Sequence, residues 1–187
     1  MNYQNLICFG DSQTFGARSY GCYPLYLGKF LSEQTPYQWR TINRSVNGFT
    51  ARDLWFKINQ EIDALSDTFI CCLMIGTNDV GNGTDIELFS EYYTQILRAL
   101  VIKKFKVIIC GEIPPIFPDG HSFFERPTSE LRLDYNRALR ESVAKFSRAR
   151  TISLDHLTRE HYEDPVHFNE KGNIAIAQAF ATAVSTL

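Results

Sequence analysis

Four separated groups of residues in this sequence could act together. The first is Gly10-Asp11-Ser12. A serine hydroxyl is a weak nucleophile until an adjacent base takes its proton. The second group, Asp164-Pro165-Val166-His167, could supply that base. Asp and His three residues apart can share one side of a turn. The carboxylate then accepts the Nδ1 proton, fixes the tautomer and stabilises the imidazolium, and the other ring nitrogen is free to face a serine. The third group is Gly76-Thr77-Asn78-Asp79, whose asparagine amide can donate to a developing oxyanion. The fourth, Asn43-Arg44-Ser45-Val46-Asn47-Gly48, ends on a glycine that lets a backbone N–H approach a substrate closely. Together these parts could perform acyl transfer. Each group also has an ordinary reading as a turn, since Gly, Asp, Asn and Ser all favour turns.

The surrounding chain must place these groups side by side. Short apolar runs occur at Leu6–Phe9, Phe69–Ile75, Val107–Cys110 and Ile152–Leu154, with a weaker alternating run near Arg40–Val46. Such runs suit strands buried on both faces of a parallel sheet. Longer amphipathic stretches separate them. Between Asp85 and Lys104, apolar residues fall at Phe89, Tyr93, Ile96, Leu97 and Leu100, which predicts a helix. Similar periods predict helices over Ser129–Phe146, from about Gly172 onward, and over Leu54–Leu65. Strands alternating with helices imply βαβ units and a three-layer α/β fold. All four groups then follow strand C-termini, where open α/β sheets bind ligands.

Composition narrows the function classes. The 187 residues are 44% hydrophobic and 21% charged, with a net charge of −2. That is ordinary for a single globular domain, here 1–187, and argues against disorder and a broad nucleic-acid surface. No apolar run is long enough to span a membrane. The N-terminus Met1-Asn2-Tyr3-Gln4-Asn5 lacks a basic n-region, so a cytoplasmic location is expected. Cys8, Cys71, Cys72 and Cys110 lie in apolar runs, and the odd total of five cysteines makes a poor disulfide framework. Adjacent Cys71 and Cys72 should point to opposite faces of a strand. Neither a P-loop nor a GxSxG nucleophile elbow is present.

The four groups, in this order and spacing, resemble the blocks of the SGNH (GDSL-type) hydrolase superfamily, named for a Ser, a Gly, an Asn and a His. The resemblance runs from about residue 5 to the end of the chain. It implies a flavodoxin-like sandwich with five parallel strands in order 2-1-3-4-5. It further implies Ser12 as nucleophile, His167 as general base and then acid, and Asp164 as the residue that orients His167. The oxyanion hole would be the backbone N–H groups of Ser12 and Gly48 with the Asn78 amide. Relatives are metal-independent and use no cofactor. The implied activity is a serine esterase for carboxylic esters of small or medium acyl groups. The alternatives are a thioesterase or acyltransferase of the same fold, or a catalytically silent α/β binding domain. The usual leucine after the nucleophile is Gln13 here, glycine is commoner where Ser45 stands, and Phe168 stands where proline or leucine is frequent.

Other candidates carry less. His156, His161 and His167 have spacings that match no zincin pattern, so no metal site is expected. Asp11 and Asp79 are read as structural, and Trp55 as a packing residue. The segment from Gly111 to Thr128 holds four prolines, Pro114, Pro115, Pro118 and Pro127. A loop of this length in a small domain is usually functional. Its Phe117, Phe123 and Phe124 are candidates for the substrate pocket.

Overall fold

The computed structural model describes residues 3–65, 70–118 and 128–186. Five parallel strands form one sheet in the order β2-β1-β3-β4-β5. They are β1 (Tyr3–Gly10), β2 (Gln38–Asn43), β3 (Ile70–Met74), β4 (Val107–Gly111) and β5 (Ala149–Ile152). The helices are α1 (Ser12–Phe15), α2 (Tyr23–Gln34), α3 (Ala51–Asp63), α4 (Thr77–Asn82), α5 (Ile86–Ile102), α6 (Thr128–Val143) and α7 (Glu170–Ser185).

The sheet divides the core into two layers. Ile7, Phe9, Cys71, Leu73, Ile108 and Cys110 face one layer, with apolar residues of α3, α5 and α6. Leu6, Cys8, Ile70, Cys72, Met74 and Ile109 face the other, with α2 and α7. Successive side chains therefore alternate between two hydrophobic faces, which is why β1 and β3 read as unbroken apolar runs. Cys71 and Cys72 fall on opposite sides as expected, and all five cysteines are free.

The predicted helices sit where their periodicity placed them, and caps fix their ends. Asp85 precedes α5 and its carboxylate accepts from the N–H groups of Glu87 and Leu88 at 2.9 and 3.1 Å. Thr50 and Asp53 form a capping box at the start of α3. Two differences from the sequence expectation stand out. Helix α2 is absent from the sequence expectation, although Tyr23, Leu27, Phe30 and Leu31 recur in it at helical spacing. The fifth strand lies at Ala149–Ile152 rather than Ile152–Leu154, and Leu154 has left the sheet to pack in the α2/α7 layer.

Strand register sets up the site. Gly10 pairs with Met74 and Cys8 with Asn43, so three strands end along one edge. A Cβ on Gly10 would run into the Thr14 side chain and the Met74 carbonyl, so only glycine lets β1 turn sharply into α1 there.

Candidate active site

Ser12 sits at the first position of α1, just beyond the end of β1. The turn is made by Asp11, whose Oδ1 accepts from the Gln13 N–H at 2.9 Å and caps the helix. The partner histidine comes from the far end of the chain. An antiparallel bridge between Tyr162 and Phe168 closes a short loop that carries Asp164 and His167. His167 Nε2 lies 3.0 Å from Ser12 Oγ, and Nδ1 lies 2.7 Å from Asp164 Oδ2. The other carboxylate oxygen of Asp164 accepts from the N–H groups of Val166 and His167 at 3.0 and 2.8 Å. Burial works to raise the Asp164 pKa. The two N–H donors and the imidazole outweigh it and hold the carboxyl below its ordinary value. It therefore stays ionised, as a partner for an imidazolium must.

Three successive carbonyls pin this loop. Pro165 O accepts from the Phe117 N–H at 2.9 Å, Val166 O from the Gln13 side chain at 2.8 Å, and His167 O from the Glu163 N–H at 2.8 Å. Asn169 then caps α7 by accepting from the Gly172 N–H at 3.1 Å. Phe168, which replaces the commoner proline or leucine, is buried against Tyr162 with ring centroids 4.9 Å apart.

The donor side is built from two other strand ends. Asn78 lies in the first turn of α4. One amide hydrogen goes to the Phe49 carbonyl, with Nδ2 and O 2.9 Å apart. An amide NH₂ carries two hydrogens, so the second is free for a ligand while the first fixes the side chain. Gly48 has φ of +77°, and no heavy atom would lie within 4 Å of a Cβ there. Its backbone is thus both left-handed and open. Asn43 joins the same region to the nucleophile turn, with Nδ2 donating to the Thr14 carbonyl at 3.0 Å.

Ser12, Gly48, Asn78, Asp164 and His167 line one pocket of about 390 Å³, together with Ala17, Asn47 and Val166. The structure thus gathers all five residues singled out for catalysis. Of the three phenylalanines expected at the pocket, Phe117 alone lies among the described residues. Phe117 does not line this pocket; its ring packs edge-on against Tyr162 at 5.1 Å, where apolar burial in the α2/α7 layer holds it. Phe123 and Phe124, with His121, lie outside the described residues. Trp55 packs at the edge of the α3/α5/α6 layer, away from the pocket. His161 Nδ1 contacts Thr158 in the 3-10 turn, and His156 is exposed, so neither accompanies His167. Among the described residues no group of three or more His, Cys, Asp or Glu converges as a metal site.

Two buried carboxyls lie beneath the pocket. Asp79 Oδ2 accepts from the Ala51 N–H at 2.9 Å, tying α4 to the start of α3. Burial pushes Asp79 up to about 7, and burial with the nearby Asp79 charge pushes Asp11 up to about 7. Because the folded state holds these protons more tightly, their contribution to stability is full below about 4 and is lost as pH rises through 7. The Asp164 contribution has the opposite sign and is lost only in acid. Urea midpoints should therefore correspond to roughly 2–4 kcal/mol less stability at pH 8 than at pH 5. Asp79→Asn should flatten that decline. An unchanged slope in the variant would show that Asp79 does not carry it.

Comparison with known proteins agrees with this architecture. The sequence matches the GDSL-like lipase/acylhydrolase family over residues 8–174. The chain belongs to that family and is a hydrolase acting on ester bonds. Among solved structures it is similar to a lipase/acylhydrolase from Enterococcus faecalis, with 17% identity, TM-score 0.79, and 98% of this chain and 96% of that one covered. It is also similar to a variant of Axe2, an acetyl xylan esterase from Geobacillus stearothermophilus, with 22% identity, TM-score 0.72, and coverage of 97% and 94%. An alpha/beta hydrolase enzyme from the metagenome of Lake Arreo, Spain, matches with 23% identity, TM-score 0.74, and coverage of 97% and 95%. A search of curated proteins gave no match. No helix among the described residues is long and apolar enough to cross a membrane.

The residue that sequence reasoning undervalued is Gln13. Its type was visible as a departure from leucine directly after the nucleophile. Its contacts, to Thr77 and Val166, were not.

Proposed function

We propose that this protein is a serine esterase that hydrolyses carboxylic esters of small or medium acyl groups through an acyl-enzyme. The observation that carries the proposal is the pair of contacts on one imidazole, 3.0 Å to Ser12 Oγ and 2.7 Å to Asp164. Ser12 Oγ attacks the ester carbonyl carbon as His167 Nε2 takes the hydroxyl proton. The carbonyl oxygen becomes an oxyanion held by the Ser12 and Gly48 N–H groups and the free Asn78 amide hydrogen. Collapse of this intermediate breaks the bond to the alcohol, which leaves with the proton returned by His167. Water then attacks the acyl-serine with His167 again as base, releasing the acid and restoring Ser12. Asp164 keeps the imidazole in the tautomer with Nε2 unprotonated.

A pocket of about 390 Å³ that must also admit the alcohol supports short acyl chains. The proposal assigns residues 1–187 to one hydrolase domain acting on a small-molecule ester. The five free cysteines support a reducing, cytoplasmic setting.

The test is a panel of p-nitrophenyl esters of graded chain length, acetylated sugars and acyl-thioesters, with Ser12→Ala as control. Acetate and butyrate esters should give higher kcat/KM than palmitate. A flat profile would remove the claim of discrimination by length. Faster turnover of thioesters would favour a thioesterase, and transfer to added alcohols in preference to water an acyltransferase. No turnover and no fluorophosphonate adduct would leave a binding domain.

A further inference from the structure

The acyl-transfer steps give Gln13 no task, yet it is 2% exposed and polar at both ends of its side chain. Nε2 donates to the Val166 carbonyl at 2.8 Å, and Oε1 accepts from Thr77 Oγ1 at 3.0 Å. A carbonyl oxygen only accepts, so the amide must turn its nitrogen toward Val166 and its oxygen toward Thr77. Both hydrogen bonds bridge segments remote in sequence, over 153 and 64 positions. Each contact is also one residue from a working group. Val166 precedes His167, Thr77 precedes Asn78, and Gln13 itself follows Ser12. One amide thus touches the nucleophile turn, the histidine loop and the helix that carries the oxyanion donor.

We propose that Gln13 is a positioning residue that sets the mutual placement of Ser12, His167 and Asn78. The proposal rests on the serine-esterase reading above. Acyl transfer needs reacting atoms aligned closely, and misplacement by 1 Å costs on the order of 100-fold in rate. Leucine at this position fills similar volume but makes neither hydrogen bond. It would leave the buried Val166 carbonyl without this donor. The loop would still be held by Pro165 O on Phe117 and His167 O on Glu163, so the site stays folded while its alignment loosens.

The experiment compares wild type with Gln13→Leu, Gln13→Glu, Thr77→Val and the double variant Gln13→Leu/Thr77→Val. Steady-state kinetics on p-nitrophenyl acetate and the rate of fluorophosphonate labelling are measured, with Tm recorded for each. Gln13→Leu should lower kcat roughly 10–100-fold with KM within about threefold, and slow labelling by a similar factor. Gln13→Glu sets a carboxylate oxygen against the Val166 carbonyl and should lose at least as much. Thr77→Val should lower kcat about 3–10-fold, and the double variant should match Gln13→Leu within about twofold, because both bonds act through one amide. Wild-type kcat and labelling in Gln13→Leu would overturn the proposal. So would a loss confined to KM, or strictly multiplicative losses in the double variant. Should Gln13→Leu fail to fold, Thr77→Val decides alone, and wild-type kcat there counts against the proposal. Activity surviving in Ser12→Ala would instead reject the serine reading, whichever way the Gln13 series falls.

Discussion

Ser12→Ala is expected to lower kcat by about 10⁴–10⁶-fold and to abolish the mass increase produced by a fluorophosphonate. The size follows from what is lost. Without Oγ there is no covalent intermediate, and His167 at 3.0 Å has no hydroxyl proton to take. His167→Ala should cost a similar factor, since the hydroxyl then has no base. The double variant should be no worse than either alone, because residues that act as a unit are not additive. The fold should survive both changes. Ser12 and His167 are only partly buried, and the loop carrying His167 keeps its backbone hydrogen bonds to Phe117, Glu163 and Gln13. Intact-mass labelling and ester hydrolysis read the result. Labelling that persists in Ser12→Ala would place the nucleophile elsewhere.

The second large effect is expected at Asn78. Its amide is already oriented by the Phe49 carbonyl at 2.9 Å, so its free hydrogen is aimed before substrate arrives. A preorganised donor of this kind contributes mainly where charge develops. Asn78→Ala should therefore lower kcat on the order of 10²–10³-fold, roughly 3–4 kcal/mol, with KM changing less than about threefold. Asn78→Asp keeps the shape but replaces the donor with a charged acceptor, and should lose at least as much. A variant that raised KM and spared kcat would show that Asn78 holds the ground state rather than the oxyanion.

The legible parts of this molecule are those dictated by neighbours in sequence. Leu6–Phe9 and Phe69–Ile75 read as strands because both faces of the sheet are apolar. Helix α5 read clearly because Asp85 caps it and its buried face repeats at helical spacing. Helix α2 carries apolar residues at helical spacing, but Pro24 and Gly28 within it lower its helix propensity and mask the pattern. Pro24 suits the first turn, and Gly28 is small because α2 crosses β2 closely, where a Cβ would come within 3.2 Å of Thr41. The fifth strand was displaced because all four of its residues are half-buried, so hydrophobicity marked the exit toward Leu154 instead. In the site, Ser12, Asp164 and His167 were readable by type and spacing. The role of Phe49 was not, since it acts through a backbone carbonyl that any residue supplies. Gln13 and Phe117 depend on contacts across the whole chain, which no local pattern encodes.

One consequence concerns timing during synthesis. Ser12 and His167 meet across 155 positions, and the loop that delivers His167 is anchored through Asn169 to the last helix. Strand β1 is synthesised well before the segment that carries His167, and its place in the sheet is between β2 and β3. Until that segment is made, the Ser12 hydroxyl has no His167 to pair with. On the proposed roles of Ser12 and His167, ester cleavage waits on the docking of α7, so activity comes late in folding.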